Sequence, residues 1–386
     1  MIKVLFLSAW YPNRYDAMAG LFVRKHAEAV SLYCDVKVLY VHGDKNISTF
    51  EIIRQKNNNV YETIVYYPEK NGKFLRKVLK AFSYFRAVYI GYHDIKEKTG
   101  FPDIIHVNVL TRTGILAYWL KKRYKIPYVI TEHWTRYLQT NDSYKGLIRK
   151  ILTQKILKHS SAVMPVSELL KASMLKNNLL HPNYYVINNV VDSNFFNEIE
   201  YVGHNKKRIL HVSCFLEKAK NVKGLLRAIK SISLIRDDFE VIILGSGIDY
   251  ETVIEYYKTL DFPDGIINFL GEKTSQEVAE WYAKSDFSVL FSNYETAGIV
   301  ISESLASGKP VISTKVGIAP DYISKEAGIL VEIHDEKAMT DAMNYMLDHF
   351  FEYDRKKIKQ VGSAFSYNQV GSEIYNIYQN TLDKSI

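Results

Sequence analysis

Short apolar runs alternate along this chain with longer segments of helical length. Runs rich in Val, Ile and Leu are typical of parallel strands that are buried on both faces of a sheet. In the first half of the chain these runs are KVLFLSAW, DVKVLYVH, TIVYYP, DIIHVNV, YVIT, AVMPVS and YYVINNVV. In the second half they are RILHVSC, EVIILGSG, IINFLG, FSVLFS, PVIST and GILVE. The pattern predicts an α/β protein in which strands and helices follow one another in turn.

The alternation occurs twice, and the polar stretch YVGHNKK at 201–207 separates the two series. We therefore predict two doubly wound, Rossmann-like domains whose parallel sheets face each other across a cleft. The predicted divisions are an N-terminal domain at 1–195, a C-terminal domain at 206–364 and a final helix at 365–386. In the final segment apolar residues recur at helical spacing, namely Val370, Ile374, Ile377, Tyr378 and Leu382. Periodicity alone does not place this helix, but we expect it to return to the N-terminal domain.

The composition is that of a soluble globular protein, with 47% hydrophobic and 24% charged residues. Cys34 and Cys214 are the only cysteines, so the chain has no disulfide framework and a reducing, cytoplasmic setting is expected. The N-terminal MIKVLFLSAWYP is interpreted as a first buried strand, because a signal peptide needs a longer apolar region and a small-residue cleavage site. No window reaches the roughly 18–20 apolar residues of a membrane span.

The net charge of +8, from 50 basic and 42 acidic residues, is compatible with anionic partners. Two stretches, 71–93 and 144–160, are amphipathic and cationic. The basic residues of the first stretch are Lys73, Arg76, Lys77, Lys80 and Arg86. Two interpretations stay open: a solvated helix face packed on a sheet, or peripheral contact with an anionic membrane surface. Nucleic-acid binding is not expected, because no recognition motif accompanies the charge.

Several common motifs are absent. SGKP at 307–310 lacks the first glycine and the hydroxyl residue of a phosphate-binding loop, and LGSG at 244–247 lacks the third glycine of a dinucleotide fingerprint. TEHW at 131–134 is not a zinc-hydrolase motif, no Cys/His group has metal-ligand spacing, and no G-x-S-x-G occurs. Nucleoside-triphosphatase, dehydrogenase, zinc-hydrolase and serine-hydrolase functions therefore lose their main support.

The stretch NYETAGIVISESLASGKPVIST places seven residues between two glutamates, Glu295 and Glu303. It predicts a helix from about Gly298 to Gly308, with Glu295 in the preceding loop and Glu303 roughly 7–8 Å further along the helix axis. A helix N-terminus suits a phosphate, and a glycine there lets the ligand approach the backbone. A carboxylate inside the helix can bind a ribose diol, and one in the loop can bind sugar hydroxyls. The spacing fits a nucleotide-diphosphate sugar, but the segment taken alone fits equally a glutamate that favours the helix dipole and a solvated glutamate on an amphipathic helix.

The same stretch resembles the E-x7-E signature of the retaining family 4 glycosyltransferases, which have the GT-B fold. The resemblance extends over nearly the whole chain. SAWYPNRYDAMAGLFVRKHAEAV is similar to the family's first strand and glycine-containing loop, PYVITEHW to its element ending in T-x-H, and AVMPVSELL to its strand ending in VS. VINNVVDSNFF stands where the family usually has IPNGVD, and AKSDFSVLFSNYE and VGIAPDYISKEAGILVE match the flanks of the signature.

The resemblance implies transfer of a hexose-type sugar from a UDP- or GDP-sugar to an acceptor hydroxyl, with retention of anomeric configuration. It implies no bound metal and no cofactor beyond the nucleotide-sugar substrate. Glu303 would bind the ribose, and Glu295 the hydroxyls of the donor sugar. His133 would hydrogen-bond the transferred sugar. The remaining implied donor contacts are Gly20 near the phosphates and the backbone amides of Gly298, Ile299 and Val300.

The cationic pair that stabilises the leaving diphosphate in this family is harder to match. Aligning LLRA in HVSCFLEKAKNVKGLLRAI makes Lys220 the family lysine, and the family arginine then falls on Cys214, which carries no positive charge. Lys218 is the candidate replacement, although a lysine lacks the two-pronged phosphate grip of an arginine. Lys223, followed by Gly224, is the rival to Lys220. Catalysis is thus assigned to His133, Glu295 and Lys220.

The acceptor is predicted only as a hydroxyl of a glycan or lipid-linked molecule in surface polysaccharide or lipopolysaccharide synthesis. The alternative function is a catalytically silent subunit that binds a sugar nucleotide or a partner, and Cys214 is its support. The predicted location is cytoplasmic, with peripheral attachment to the inner face of the membrane as the open alternative. Glu132, Asp103 and His106 are interpreted as structural.

Overall fold

The computed structural model describes residues 1–69, 75–141, 143–198 and 205–384. The chain folds into two compact units, each built around one sheet. The first contains Met1–Val166, Leu170–Val190 and Tyr367–Ile386, and the second Ser167–Leu169 and Val191–Ser366. Of the predicted basic positions in 71–93, Lys73 lies outside the described residues, as do the side chains of Arg76 and Lys77.

The described strands form a seven-stranded sheet in the first unit and a six-stranded sheet in the second. The first sheet has the order β3-β4-β2-β1-β5-β6-β7 and the second β10-β9-β8-β11-β12-β13. The strands of the first are β1 Lys3–Ser8, β2 Asp35–Asp44, β3 Glu51–Asn57, β4 Val60–Pro68, β5 Ile104–Asn108, β6 Tyr128–Glu132 and β7 Ala162–Pro165. Those of the second are β8 Lys207–Val212, β9 Phe239–Leu244, β10 Ile267–Gly271, β11 Phe287–Leu290, β12 Val311–Thr314 and β13 Gly328–Val331.

Helices connect these strands and cover the sheets. They are α1 Leu21–Val30, α2 Leu75–Thr99, α3 Leu110–Tyr124, α4 Leu147–Lys158, α5 Glu168–Lys176, α6 Glu217–Lys220, α7 Val222–Ser233, α8 Tyr250–Lys258, α9 Ser275–Ala283, α10 Ile299–Ala306, α11 Ala319–Tyr322, α12 Glu336–His349, α13 Arg355–Gly362 and α14 Tyr367–Asp383. Within the described ranges, none of these helices has both the length and the apolar character needed to cross a bilayer.

The predicted parallel architecture is confirmed, with two differences in the first unit. Every described strand pair is parallel except β3 and β4, which form an antiparallel hairpin. The prediction of a strand over YYVINNVV is wrong, because the segment forms only one bridge, between Val163 and Tyr184. Backbone hydrogen bonds from Tyr185 to Val163 and from Ile187 to Pro165 hold it beside β7 as extended coil.

The predicted C-terminal amphipathic helix is present as α14, and it packs on α1 in the first unit. Its apolar side lies in the same core as Phe6 and Val36 of the sheet. A Cβ atom on Gly371 would lie 2.3 Å from the carbonyl oxygen of Ala29, so glycine permits the close approach of the two helices. The Tyr378 hydroxyl lies 2.5 Å from Nδ1 of His106 on β5. The contact ties the C-terminal helix to the centre of the first sheet.

The second unit encloses an unusual buried cation. Lys309 follows α10 and is 3% exposed, and its Nζ donates hydrogen bonds to the carbonyl oxygens of Ala283 (3.0 Å) and Ser285 (2.6 Å). Burial lowers the pKa of Lys309 to about 7. The side chain therefore ties the end of α9 to the turn before β12, and its charge depends on pH.

Candidate active site

A buried ion pair joins the loop before α10 to the end of α6. Lys220 Nζ lies 2.5 Å from Glu295 Oε1, and the two side chains are 14% and 13% exposed. Ser292 Oγ donates a second hydrogen bond, of 2.8 Å, to the same carboxylate oxygen. Burial acts to lower the pKa of Lys220, but the charge of Glu295 and then that of Cys214 raise it above its ordinary value. The pair thus keeps the ammonium of Lys220 charged and holds both side chains in fixed positions.

Three further contacts fix the loop that carries Glu295. The backbone N–H of Asn293 donates to the carbonyl of Ala219 (2.7 Å), and its side-chain amide donates to the carbonyl of Lys218 (3.0 Å). Thr314 Oγ1 donates to the carbonyl of Ser292 (2.6 Å). Sequence reasoning missed Asn293 and Ser292, because their partners lie far away along the chain.

The helix predicted after this loop is confirmed as α10, which begins after Gly298. Gly298 has φ 82° and ψ 62°, a left-handed conformation that favours glycine, and no side chain caps the helix. The N–H groups of Ile299 and Val300 belong to the first turn, which has no acceptor within its own helix. The backbone here offers donors of the kind that bind a phosphate.

Glu303 lies on α10, close to the buried hydroxyl of Tyr282. That hydroxyl donates a 2.9 Å hydrogen bond to the carbonyl of Val300, which fixes the first turn of the helix. Burial, followed by the negative charge of Glu303, raises the pKa of Tyr282 well above its ordinary value. Glu295, in the loop before α10, and Glu303, on the helix itself, therefore both lie around the start of α10.

The remaining predicted cations occupy different environments. The side chain of Lys218 is exposed, and that of Lys223 points to Tyr256, with Nζ 5.3 Å from the ring centroid. Cys214 is exposed and lies close enough to Lys220 to influence its pKa. The structure thus brings Lys220 together with Glu295, and it does not bring Lys223 into that pair.

The G-x-G at 245–247 allows two loops of the second unit to pack closely against each other. A Cβ atom would lie 1.8 Å from the carbonyl oxygen of Ser213 if placed on Gly245, and 1.8 Å from that of Cys214 if placed on Gly247. Only residues without a side chain allow the loop after β9 to lie against the loop that follows β8. The two glycines were the available sequence signal, although they were too few for a nucleotide-binding motif.

In the first unit, His133 is buried against aromatic rings. Its ring centroid lies 4.5 Å from that of Phe22 and 5.3 Å from that of His26. Among the described residues, neither of its ring nitrogens has a hydrogen-bond partner. Burial, and then the nearby His26, lower the pKa of His133 well below its ordinary value. His133 is therefore a neutral imidazole whose two buried ring nitrogens have no hydrogen-bond partner among the described residues.

Glu132 anchors the backbone around His133. Its Oε1 accepts hydrogen bonds from the N–H groups of His133 and Trp134, both 2.9 Å long, and its Oε2 accepts one from Leu110 at 3.0 Å. Burial raises the pKa of Glu132 to about 7. A single buried carboxylate therefore joins the loop after β6 to the start of α3.

Gly20 is placed at the start of α1, with φ 63°. A Cβ atom there would lie 2.2 Å from the carbonyl oxygen of Trp10, so packing alone requires a glycine. Its predicted contact with donor phosphates stays a prediction. Within the described residues, no group of three or more His, Cys, Asp or Glu side chains is arranged to hold a metal ion.

The two sheets and the start of α10 together define a protein of the GT-B type. The chain superposes on sucrose-phosphate synthase from Thermosynechococcus elongatus with a TM-score of 0.77, at 17% identity and over 100% of both chains. It superposes on Anabaena HepE in complex with UDP with a TM-score of 0.72, at 15% identity and over 98% and 100% of the chains.

Sequence comparison then assigns the family. The family Glycosyl transferases group 1 matches residues 194–362, and Glycosyltransferase Family 4 matches 28–195. N-acetyl-alpha-D-glucosaminyl L-malate synthase of Bacillus anthracis is 28% identical over 298 residues, which are 72% of this chain and 75% of that protein. The chain belongs to the family 4, group 1 glycosyltransferases.

Proposed function

We propose that this protein is a retaining glycosyltransferase that transfers a hexose-type sugar from a UDP- or GDP-sugar to a hydroxyl of a glycan or lipid-linked acceptor. The observation that carries the proposal is the Lys220–Glu295 pair beside the uncapped start of α10. An ammonium and first-turn amides suit a diphosphate, and the free oxygen of Glu295 suits sugar hydroxyls. Glu303, further along the same helix, suits the ribose. The role proposed for His133 is a hydrogen bond to the transferred sugar.

The proposed reaction is a front-face transfer. The bond between the anomeric carbon and the diphosphate oxygen breaks, and its electron pair leaves with the diphosphate. The acceptor hydroxyl forms the new bond on the same face, and its proton passes to an oxygen of the leaving diphosphate. Lys220 and the amides of Ile299 and Val300 stabilise the developing negative charge. This scheme uses no metal ion, so activity should persist in a chelator.

Nucleotide binding tests the donor part of the proposal. Thermal stability is measured with UDP, GDP, ADP and CMP for the wild type, Lys220→Ala and Lys223→Ala. A ligand at about 100 times its dissociation constant stabilises the folded state by roughly 2.7 kcal/mol. We expect one of UDP and GDP to stabilise the wild type and Lys223→Ala, and to have little effect on Lys220→Ala. An equal loss in both variants would contradict the assignment of Lys220.

Cys214 favours a second candidate, a silent subunit that binds the nucleotide sugar without turnover. The family arginine aligns with this residue in the favoured alignment, and its side chain is exposed. Donor consumption distinguishes the two candidates. If the wild type turns over its donor, and Glu295→Gln and His133→Ala each lower kcat, the enzyme is supported. If the wild type binds the nucleotide but consumes no donor, the silent subunit is supported.

A lipid-linked acceptor would need the protein to reach a membrane surface, and α4 has a suitable face. Leu147, Ile148 and Ile151 are 74%, 83% and 56% exposed, and the basic residues of this helix are not accompanied by any acidic residue. We propose that this face contacts anionic lipid. Vesicles of phosphatidylglycerol, but not phosphatidylcholine, should bind the protein. Ile148→Ser should weaken that binding. Ile235→Ser, at a 70% exposed isoleucine of the second unit, should not; equal effects would contradict the proposal.

A further inference from the structure

A cavity of about 430 Å³ opens at the carboxyl-terminal edge of the first sheet. It is lined by the carboxyl-terminal ends of β1, β2 and β4, by residues that follow β1, β4, β5 and β6, and by α2 and the first turns of α3 and α4. The cavity spans the position where the strand order reverses, since β1 lies between β2 and β5. Open α/β sheets bind ligands at this position, and the volume is that of a small-molecule site.

Three arginines from separate elements line this cavity: Arg112 on α3, Arg136 after β6 and Arg149 on α4. None of the three forms an ion pair with a carboxylate of the described residues. The other lining cation, Lys80, is paired with Glu69. The carboxylate of Glu132 already accepts three backbone hydrogen bonds. The cavity therefore has an excess of positive charge that the surrounding protein does not neutralise.

Arg136 has both a fixed position and an unsatisfied donor. Its Cζ lies 3.2 Å from the ring centroid of Trp134, whose own ring centroid lies 5.0 Å from that of Trp10. Its Nε is buried and has no hydrogen-bond partner among the described residues. Burial, followed by the charge of Arg149, lowers the pKa of Arg136 from its ordinary value. A guanidinium that is fixed in position and has a buried N–H without an acceptor indicates a binding site whose ligand supplies that acceptor.

We propose that this cavity binds an anionic phosphoryl group of the acceptor, with Arg112, Arg136 and Arg149 as its charge partners. Its assignment to the acceptor rests on the proposed glycosyl transfer. A phosphoryl group has several peripheral oxygens in a tetrahedral arrangement, so guanidinium groups from three directions can each find an acceptor. A carboxylate has two coplanar oxygens, which a single guanidinium can satisfy. Three converging arginines therefore favour phosphate over carboxylate.

Binding of inorganic phosphate to the full chain tests the site directly. Trp10 and Trp134 line the cavity, so tryptophan fluorescence reports on its occupancy, and calorimetry gives an independent dissociation constant. The measurement is made with UDP and GDP present, so that phosphate does not report on the donor site. We expect Arg136→Gln and Arg112→Gln each to weaken phosphate binding at least tenfold, because a charge-assisted hydrogen bond is lost.

Arg123→Gln is the matched control, since Arg123 lies in the last turn of α3 and Arg112 lies in its first turn. It should change phosphate binding less than twofold, and circular dichroism should show all variants folded. The proposal is overturned if Arg123→Gln weakens binding as much as Arg112→Gln, because binding would then reflect net charge alone. It is also overturned if the triple variant of Arg112, Arg136 and Arg149 still binds phosphate normally, or if succinate binds more tightly than phosphate.

Two further arms distinguish the source of the phosphate. sn-Glycerol 3-phosphate represents a free phosphomonoester, and phosphatidylglycerol vesicles represent a lipid headgroup. Binding of either probe that depends on the three arginines supports the site and identifies the source of the phosphate. Binding of neither overturns the proposal. UDP and GDP affinities are measured in parallel for every variant. Phosphate binding without nucleotide binding would retain the anion site but refute its role in glycosyl transfer.

Discussion

Glu132→Gln is the substitution that tests most directly how the first unit holds its site. The change keeps the size and shape of the side chain but replaces one of two acceptor oxygens with an NH2 donor. In the wild type both oxygens accept backbone N–H groups, from His133 and Trp134 on one side and from Leu110 on the other. Whichever way the amide turns, its NH2 faces a backbone donor.

The cost follows from these contacts. The more favourable orientation keeps the two hydrogen bonds to His133 and Trp134 and loses the one to Leu110. A hydrogen bond to a charged group contributes about 1.5–3 kcal/mol, and a buried donor left without an acceptor costs about 1–3 kcal/mol. The two ranges are not added together, because both describe the loss of the same contact with the N–H group of Leu110. We therefore expect Glu132→Gln to lower the free energy of unfolding by about 1.5–3 kcal/mol at pH 8.

The pH dependence supplies a second signature. The pKa of Glu132 is raised to about 7 in the folded protein, from an ordinary value of about 4.5. Between these values the folded chain binds more protons than the unfolded chain, so the carboxyl's contribution to stability falls as pH rises from about 4.5 to 7. The glutamine variant lacks this contribution. The stability difference between wild type and variant should therefore be larger at pH 5.5 than at pH 8.

Urea unfolding followed by tryptophan fluorescence is the assay, because Trp10, Trp119 and Trp134 all lie in the first unit. Glu97→Gln is the control: Glu97 is 67% exposed on α2, and its loss should change stability by less than about 0.5 kcal/mol. Amide exchange at Leu110 should accelerate in the Glu132 variant. A stability change below about 0.5 kcal/mol at pH 8, or no change with pH, would refute the reasoning.

Three other predictions concern the second unit and the reaction. Burial lowers the pKa of Lys309 to about 7, so between pH 7 and 10.5 the unfolded chain binds more protons than the folded chain. The melting temperature should therefore rise with pH more steeply in the wild type than in Lys309→Met. Gly298 has φ 82°, so Gly298→Ala should lower the free energy of unfolding by about 1–2 kcal/mol and also weaken nucleotide binding. The control is Gly265→Ala, at φ 75° in an open turn, which should lower stability without changing nucleotide binding. Donor consumption should be unchanged by EDTA; a loss restored by Mg²⁺ would contradict the metal-free scheme.

The sequence was most informative where strands are buried on both faces. Continuous apolar runs predicted β8 to β13 and most of the first sheet, because a strand without an exposed face has no polar alternation. β3 was missed because it is an edge strand with mainly exposed side chains, and its sequence EIIRQKN has little apolar character. YYVINNVV was wrongly predicted as a strand for the opposite reason: Ile187, Val190 and Val191 are buried, but the backbone of the segment pairs too little to extend the sheet.

The site was predictable only in part, because side-chain partners come from distant positions. The E-x7-E pattern identified Glu295, Glu303 and the start of α10, all within one segment. The pairing of Glu295 with Lys220 crosses 75 positions of the chain, and alignment left Lys223 open as a rival. The three arginines of the proposed phosphate site have no spacing motif, since only the strand order brings their elements to one edge of the sheet. Arg149 belongs to the stretch 144–160, for which the sequence left open a solvated helix face or contact with a membrane surface.

If Cys214 stands in place of the family arginine, as the alignment predicts, charge must be distributed differently in the proposed donor site. A lysine ammonium has three donors and an arginine five. One donor of Lys220 is directed at Glu295, and no second hydrogen bond of this ammonium is present among the described residues. Two donors therefore remain for a diphosphate, and Lys218 adds an exposed ammonium. The backbone amides of α10 must supply more of the stabilisation than in a relative with the arginine, and the left-handed Gly298 that orients them gains importance accordingly.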